Sequence, residues 1–278
     1  MSKKKLLLVT QELDPYTIGS QISEITKTLP KALNGEGYEV RVLMPSYGKI
    51  NKRRHRLHEV VRLSGMNIIV NEEDYPLIIN VASYPGARLQ VYFLDNEDFF
   101  KRKMIVNDEN GKPFADNDER TVFFCKGVLE IVKKFGWPPD IVFCHGWMTS
   151  LLPFYLKTAF KNDPVFQNSK VVTGLYGNEM SENFTEEFLE KATTGTLEAD
   201  AFKDFLNKDG IIRLEETATK YSDGLVICSE DVDSNVTDLI SSKELPSCNY
   251  TSGESFADLV EFLNGLIPEE EEEEEEEK

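Results

Sequence analysis

The sequence predicts an α/β fold, a doubly wound Rossmann-like parallel sheet carrying a β-rich insertion. Three observations predict it. Compact apolar runs of strand length recur at residues 5–10, 39–44, 141–144, 171–175 and 225–228. Most are separated by segments whose apolar residues recur at helical spacing. Across residues 57–95 this alternation gives way to strand-like runs at 60–63, 67–70, 77–81 and 89–94, broken by Asn71-Glu72-Glu73-Asp74 and Tyr84-Pro85-Gly86.

Taken in order, residues 5–10 form the first strand, followed by a Gly/Ser-containing loop and a helical pattern from Gln21 to Leu33, closed by Gly35 and Gly37. Residues 39–44 form the next strand, stopped by Pro45. The β-α-β order predicts parallel pairing with a right-handed crossover. The first loop therefore lies at the carboxyl end of strand one, where open α/β sheets place their ligands. The insertion then returns to the sheet. In residues 116–135, Val122, Phe123, Val128, Leu129 and Val132 recur at helical spacing, and Gly136 ends the helix. Strands at 141–144, 171–175 and 225–228 alternate with helices at 149–159 and 211–221. Residues 241–253 are Ser-rich and loop-like, and 256–266 fit a short final helix. The run of nine glutamates is expected to be disordered by self-repulsion. The expected organisation is one Rossmann-like domain over 1–240, a linker and short helix over 241–267, and a disordered acidic tail over 268–278.

The chain has 278 residues, 40% apolar, enough to bury a substantial core in one large domain. Of its net charge of −18, the last ten residues carry −8, so the body is moderately acidic. That balance excludes a nucleic-acid partner, which needs a broad cationic face. Local basic clusters occur at Lys49, Lys52, Arg53, Arg54 and Arg56 and at Lys101, Arg102 and Lys103. They read as solvated loop charges or as a local anion site. Cys125, Cys144, Cys228 and Cys248 are too far apart in sequence for a zinc clasp or redox dithiol, and three sit in apolar stretches, which suits a reducing cytoplasm. The N-terminal apolar run is too short for a signal segment or membrane span, so no membrane association is expected.

Two segments could hold a ligand. The loop Asp14-Pro15-Tyr16-Thr17-Ile18-Gly19-Ser20-Gln21 opens the first helix, where backbone N–H groups can meet a phosphate or sugar hydroxyl. It holds one glycine, so neither a dinucleotide fingerprint nor a P-loop is present, and a simple connecting turn is the competing reading. His145-Gly146-Trp147-Met148-Thr149 stands just past a buried strand. Its indole could stack on a sugar while His145 and Thr149 bond to hydroxyls, or Trp147 could simply pack beside a satisfied histidine. Asp116-Asn117-Asp118-Glu119-Arg120 reads as a helix cap rather than as metal or general-acid chemistry. With only three histidines, no Ser/His/Asp set can be assembled.

Leu29-Pro30-Lys31-Ala32-Leu33, Asp95-Asn96, Asp116-Asn117-Asp118-Glu119-Arg120, Gly136-Trp137-Pro138-Pro139-Asp140 and His145-Gly146-Trp147-Met148-Thr149 occur in an order and spacing that resembles the N-terminal catalytic domain of glycogen and starch synthases. The likeness runs from about residue 4 to 228. It implies the N-terminal half of a GT-B glycosyltransferase, and a retaining transfer of glucose from ADP-glucose to an α-1,4-glucan, with no metal and no cofactor. The resemblance makes Gly19, Ser20, Gln21, Asn117, His145, Trp147 and Thr149 candidate substrate-binding residues, with none assigned as catalytic. The family's Lys-Thr-Gly-Gly loop falls on Ile18, Gly19, Ser20 and Gln21, which removes the lysine that would meet the donor's phosphates. Its His-Asp-Trp falls on His145, Gly146 and Trp147, which removes the carboxylate expected at the transferred glucose. Its strand-end histidine falls at Leu175.

The resemblance also implies a second Rossmann-like domain for which the 278 residues leave no room. Two functions remain in play. One is a glucan synthase subunit whose donor half comes from a second glycosyltransferase chain. The other, preferred for the isolated chain, is a non-catalytic module that binds α-glucan, maltooligosaccharide or a partner of glycogen metabolism.

Overall fold

The computed structural model describes residues 3–177, 180, 184–195, 197–251 and 256–268. In chain order the elements are β1 (Lys5–Thr10), α1 (Gln21–Thr26), α2 (Leu29–Gly35), β2 (Glu39–Pro45), β3 (His58–Glu59), β4 (Met66–Val70), β5 (Glu73–Ser83), β6 (Gln90–Asp95), α3 (Glu97–Phe100), α4 (Asn117–Phe135), β7 (Ile141–His145), α5 (Leu151–Lys157), β8 (Lys170–Leu175), α6 (Glu187–Lys191), α7 (Leu214–Lys220), β9 (Gly224–Ile227), α8 (Ser234–Ser242), β10 (Ser247–Asn249) and α9 (Phe256–Leu266). Stretches of 3₁₀ helix occupy Trp147–Thr149 and Ala199–Phe205.

The sheet runs β10-β9-β8-β7-β1-β2-β6-β5-β3, with β4 attached to β5. Every pair from β10 to β6 is parallel, and β5 is antiparallel to β6, β3 and β4. Strands covered on both faces need apolar side chains on both, which is why β7 is buried at all five positions and β1 at all but its first. The strand order reverses between β1 and β7. Chain direction leads from β1 outward through β2 to β6 on one side, and from β7 outward through β8, β9 and β10 on the other. That switch point is where an open parallel sheet leaves a crevice beyond its carboxyl ends.

The β-rich insertion is β3, β4 and β5, and it returns through β6 as expected. Several local expectations change. Residues 60–63 form a turn, with Leu63 N–H donating to the Val60 carbonyl, and the strand lies two residues earlier at β3. The expected first helix is two, because Pro30, at the second position of α2, has no N–H to continue the ladder and its ring would crowd the Thr26 carbonyl. The helix expected over 149–159 starts only at Leu151, after the 3₁₀ turn. Ile212 bridges to Leu206, which delays α7 to Leu214. Residues 241–253, expected as loop, supply β10, and α8 has no counterpart in the sequence reading. The nine-glutamate run lies outside the described residues.

Two glycines set how closely helices approach the sheet. A Cβ on Gly127 would sit 3.0 Å from Leu94 and 3.4 Å from Leu77, so α4 lies directly on β5 and β6. A Cβ on Gly224 would meet Leu266 at 2.6 Å and Phe262 at 2.9 Å, so α9 presses on the start of β9. Lys4 Nζ and Tyr38 Oη both donate to Asn264 Oδ1, tying α9 to the amino ends of β1 and β2. Cys125, Cys144 and Cys228 are buried as free thiols.

Candidate functional site: the carboxyl ends of β1 and β7

The switch point is built by two strand ends side by side. Gln11 N–H donates to the His145 carbonyl at 2.9 Å, extending the β1/β7 pairing one residue past each strand's apolar run. Gly146 then turns the chain at φ 87°, a conformation that favours glycine. Space dictates glycine as well. A Cβ there would stand 2.8 Å from Ile22 Cδ1, 2.9 Å from Gln11 Cβ and 2.9 Å from Gln11 Oε1. Gln11 Oε1 accepts from Met148 N–H at 3.2 Å, which pins the glutamine side chain over the glycine. The crevice next to Gly146 is therefore filled by Gln11 and by Ile22 of α1.

His145, Trp147 and Thr149 lie inside the protein. His145 is fully buried, its Nδ1 is 2.7 Å from Tyr176 Oη, and Nε2 has no hydrogen-bond partner among the described residues. Burial pushes its pKa down to about 3, so the imidazole is neutral. Gly174 makes room for that ring, since a Cβ there would be 2.8 Å from His145 Nδ1. Trp147 is 5% exposed and meets Phe184 edge-on, with ring centres 5.8 Å apart. Thr149 donates to the Gly146 carbonyl at 2.7 Å. Trp147 thus has no free face for a sugar and Thr149 spends its hydroxyl locally.

Gly19, Ser20 and Gln21 form the outer rim. Gly19 and Gln21 are exposed, while Ser20 is half-buried and caps α1 reciprocally with Ser23. Gln21 Nε2 donates to the Cys228 carbonyl at 3.1 Å, closing the rim against the end of β9. Ile18, where the family resemblance would place a lysine, is 62% exposed. Glu12, next to Gln11, is largely buried, and burial raises its pKa while the Ser20 hydroxyl and Lys49 pull it back. The β8 end is also shut. Glu215 accepts from Tyr176 N–H at 2.6 Å and Gly177 N–H at 3.2 Å, and a Cβ on Gly177 would lie 2.0 Å from the Asp231 carbonyl oxygen.

Asn117 stands apart from this rim. Its Nδ2 donates to the Val106 carbonyl and its Oδ1 accepts from Arg120 Nη1 at 2.7 Å, within the interior. The capping expected of Asp116 is absent, because its carboxylate is paired with Arg102. Lys191 bridges Asp118 and Glu119 at 2.8 and 3.0 Å. Among the described residues no group of three or more His, Cys, Asp or Glu could hold a metal ion, and no helix is long and apolar enough to cross a membrane. Sequence reasoning missed Gln11, Tyr176 and Glu215. Gln11 was within reach, as the first polar residue past a buried strand at the switch point.

A parallel sheet reversing between β1 and β7, with helices on its faces and an antiparallel extension, is the layout of a GT-B glycosyltransferase domain. The catalytic domain of starch synthase IV from Arabidopsis thaliana, bound to ADP and acarbose, superposes with a TM-score of 0.75 over 90% of this chain and 52% of that one, at 15% identity, which is a likeness of fold. The family model for the starch synthase catalytic domain matches residues 5–245, and the chain belongs to that family. A glycogen synthase of Chlorobium limicola is 40% identical over 169 residues, 60% of this chain and 35% of the relative. That of Chlorobaculum parvum is 32% identical over 220 residues, 79% of this chain and 44% of the relative. The chain therefore spans between about a third and a half of the length of these relatives.

Proposed function

We propose that this chain serves α-glucan metabolism as a binding member of the starch synthase family, holding an α-glucan or maltooligosaccharide without transferring glucose from ADP-glucose. The observation that carries this reading is the filled crevice at Gly146. Where the family likeness implies a carboxylate at the transferred sugar, Gln11 and Ile22 occupy the space that its Cβ would need. The lysine and histidine implied on either side are Ile18 and Leu175, the second fully buried. Charge stabilisation of a departing nucleotide diphosphate commonly lowers a barrier by several kcal/mol, so removing these groups together costs orders of magnitude in rate. With Trp147 enclosed, a glucan would meet the exposed rim of Gly19 and Gln21 with Ser20 between them. The buried thiols of Cys125, Cys144 and Cys228 support a cytoplasmic setting.

A second reading, glucosyl transfer from ADP-glucose with a second glycosyltransferase chain completing the cleft, is favoured by the family match over residues 5–245. Calorimetric titration of the purified chain with maltoheptaose and with ADP-glucose separates the two, alongside an assay of glucose transfer to glycogen. Binding of maltoheptaose alone, without transfer, is expected. Binding of ADP-glucose, or transfer in a lysate that supplies a partner, overturns the first reading in favour of the second. Binding of neither ligand refutes the glucan assignment.

A further inference from the structure

A lysine is anchored at the wall of a cavity that the site at the carboxyl ends of β1 and β7 does not use. Lys126, midway along α4, donates from Nζ to the Ile69 carbonyl of β4 at 2.9 Å and to the Thr193 carbonyl, just beyond α6, at 2.6 Å. Among the described residues it makes no ion pair. These three segments border a cavity of about 470 Å³, whose wall includes Lys126, Glu130, Asn67, Ile69, Phe160 and Glu198. That is the size of a small-molecule pocket. It shares no residue with the rim of Gly19, Ser20 and Gln21.

An amine nitrogen has four tetrahedral directions. At Lys126 the bond to Cε and the two donated N–H groups take three, and among the described residues no acceptor takes the fourth. In the neutral amine that direction holds the lone pair, so the two hydrogen bonds fix where the nucleophile points. Burial lowers the pKa of this amine from 10.5 to about 8. Near pH 7.4 about a fifth of it is then neutral, against about one in a thousand for a freely solvated lysine. Desolvated lysines of this kind attack carbonyl compounds.

The wall selects among electrophiles. Besides Lys126, its charged groups are the carboxylates of Glu130 and Glu198, the first 3.7 Å from Lys133 Nζ. They favour a product with positive charge, as a protonated imine has, and disfavour the anionic carbamate that carbon dioxide would form. Phe160 and Ile69 offer apolar surface beside Asn67 and Thr193, a mixture that suits the C–H groups and hydroxyls of a sugar.

We propose that Lys126 is a covalent attachment site for a small aldose, captured through its aldehyde as an imine. The nitrogen lone pair forms a bond to the aldehyde carbon, and the carbonyl oxygen takes one amine proton. Departure of that oxygen with the second amine proton as water leaves the C=N bond. Protonated, the imine keeps one N–H for one of the two carbonyls, so capture releases the other. Capture at Lys126 is independent of any glucan held at the rim.

The test treats the full chain at about pH 7.4 with glyceraldehyde and sodium cyanoborohydride, which reduces the imine to a stable secondary amine, and reads adducts by peptide mass mapping. Lys126 should label at least about tenfold faster than exposed Lys103, at a rate that saturates with glyceraldehyde and falls when erythritol, a polyol without an aldehyde, is added. Labelling of Lys126 no faster than of Lys103 would overturn the proposal. Labelling that is linear in glyceraldehyde, matched by propanal and unprotected by erythritol would overturn the aldose assignment and leave bare amine reactivity. Faster capture of maltotriose than of glyceraldehyde, at equal free-aldehyde concentration, would overturn it in favour of an oligosaccharide's reducing end.

Discussion

Restoring the carboxylate that the family likeness implies at position 146 should damage the protein rather than activate it. Gly146→Asp places a Cβ 2.8 to 2.9 Å from Ile22 Cδ1, Gln11 Cβ and Gln11 Oε1, closer than packed atoms stand. Overpacking of this kind costs about 1–3 kcal/mol. A side chain at φ 87° adds strain of order 1 kcal/mol or more. The carboxylate would also crowd Gln11 Oε1, which already accepts from Met148, and a buried charge without a donor costs about 1–3 kcal/mol or more. The sum is at least about 3 kcal/mol. Urea denaturation followed by tryptophan fluorescence would report it, since Trp147 is one of only two tryptophans and adjoins the substitution. Gly146→Ala carries the first two costs without the third, so the difference between the variants isolates the charge. An Asp variant within about 1 kcal/mol of the parent, or one that transfers glucose from ADP-glucose, would refute the argument that the crevice is filled.

Three other outcomes follow from the same geometry. His145 has an ordinary pKa of 6.5 that burial lowers to about 3, so its contribution to stability is complete above pH 6.5 and is lost as pH falls toward 3. By pH 4.5 that loss is about 3 kcal/mol, and His145→Gln should show a correspondingly shallower decline in urea midpoint; parallel profiles would show that the imidazole charges freely. Trp147→Ala, at a position 5% exposed and packed on Phe184, should cost about 3–5 kcal/mol by calorimetric melting, whereas a binding role alone would leave stability untouched. Lys126, whose pKa burial lowers to about 8, donates to the Ile69 carbonyl at 2.9 Å and the Thr193 carbonyl at 2.6 Å. Lys126→Met should speed amide hydrogen exchange in residues 193–195 and lower stability by about 1–2 kcal/mol; unchanged exchange would mean that the strap holds nothing.

The α/β class, the parallel strands and the place of the insertion were legible from the sequence because burial on both faces of a strand leaves a continuous apolar run, as in residues 141–144. Edge strands leave no such mark, and β3 and β10 were misread or missed for that reason: their residues are mostly exposed and become strands only because a neighbouring backbone offers its N–H and C=O groups. The order of short motifs carried the family, since it depends on chain sequence alone. The state of the site did not. His145 ends a strand and Trp147 and Thr149 follow it, but whether they face a ligand or the interior depends on Gln11, Ile22, Tyr176 and Phe184, which come from four other segments of the chain. Local spacing can place a residue on an element. Only packing across elements decides what space remains in front of it, because that space is set by atoms that the chain brings together from far away.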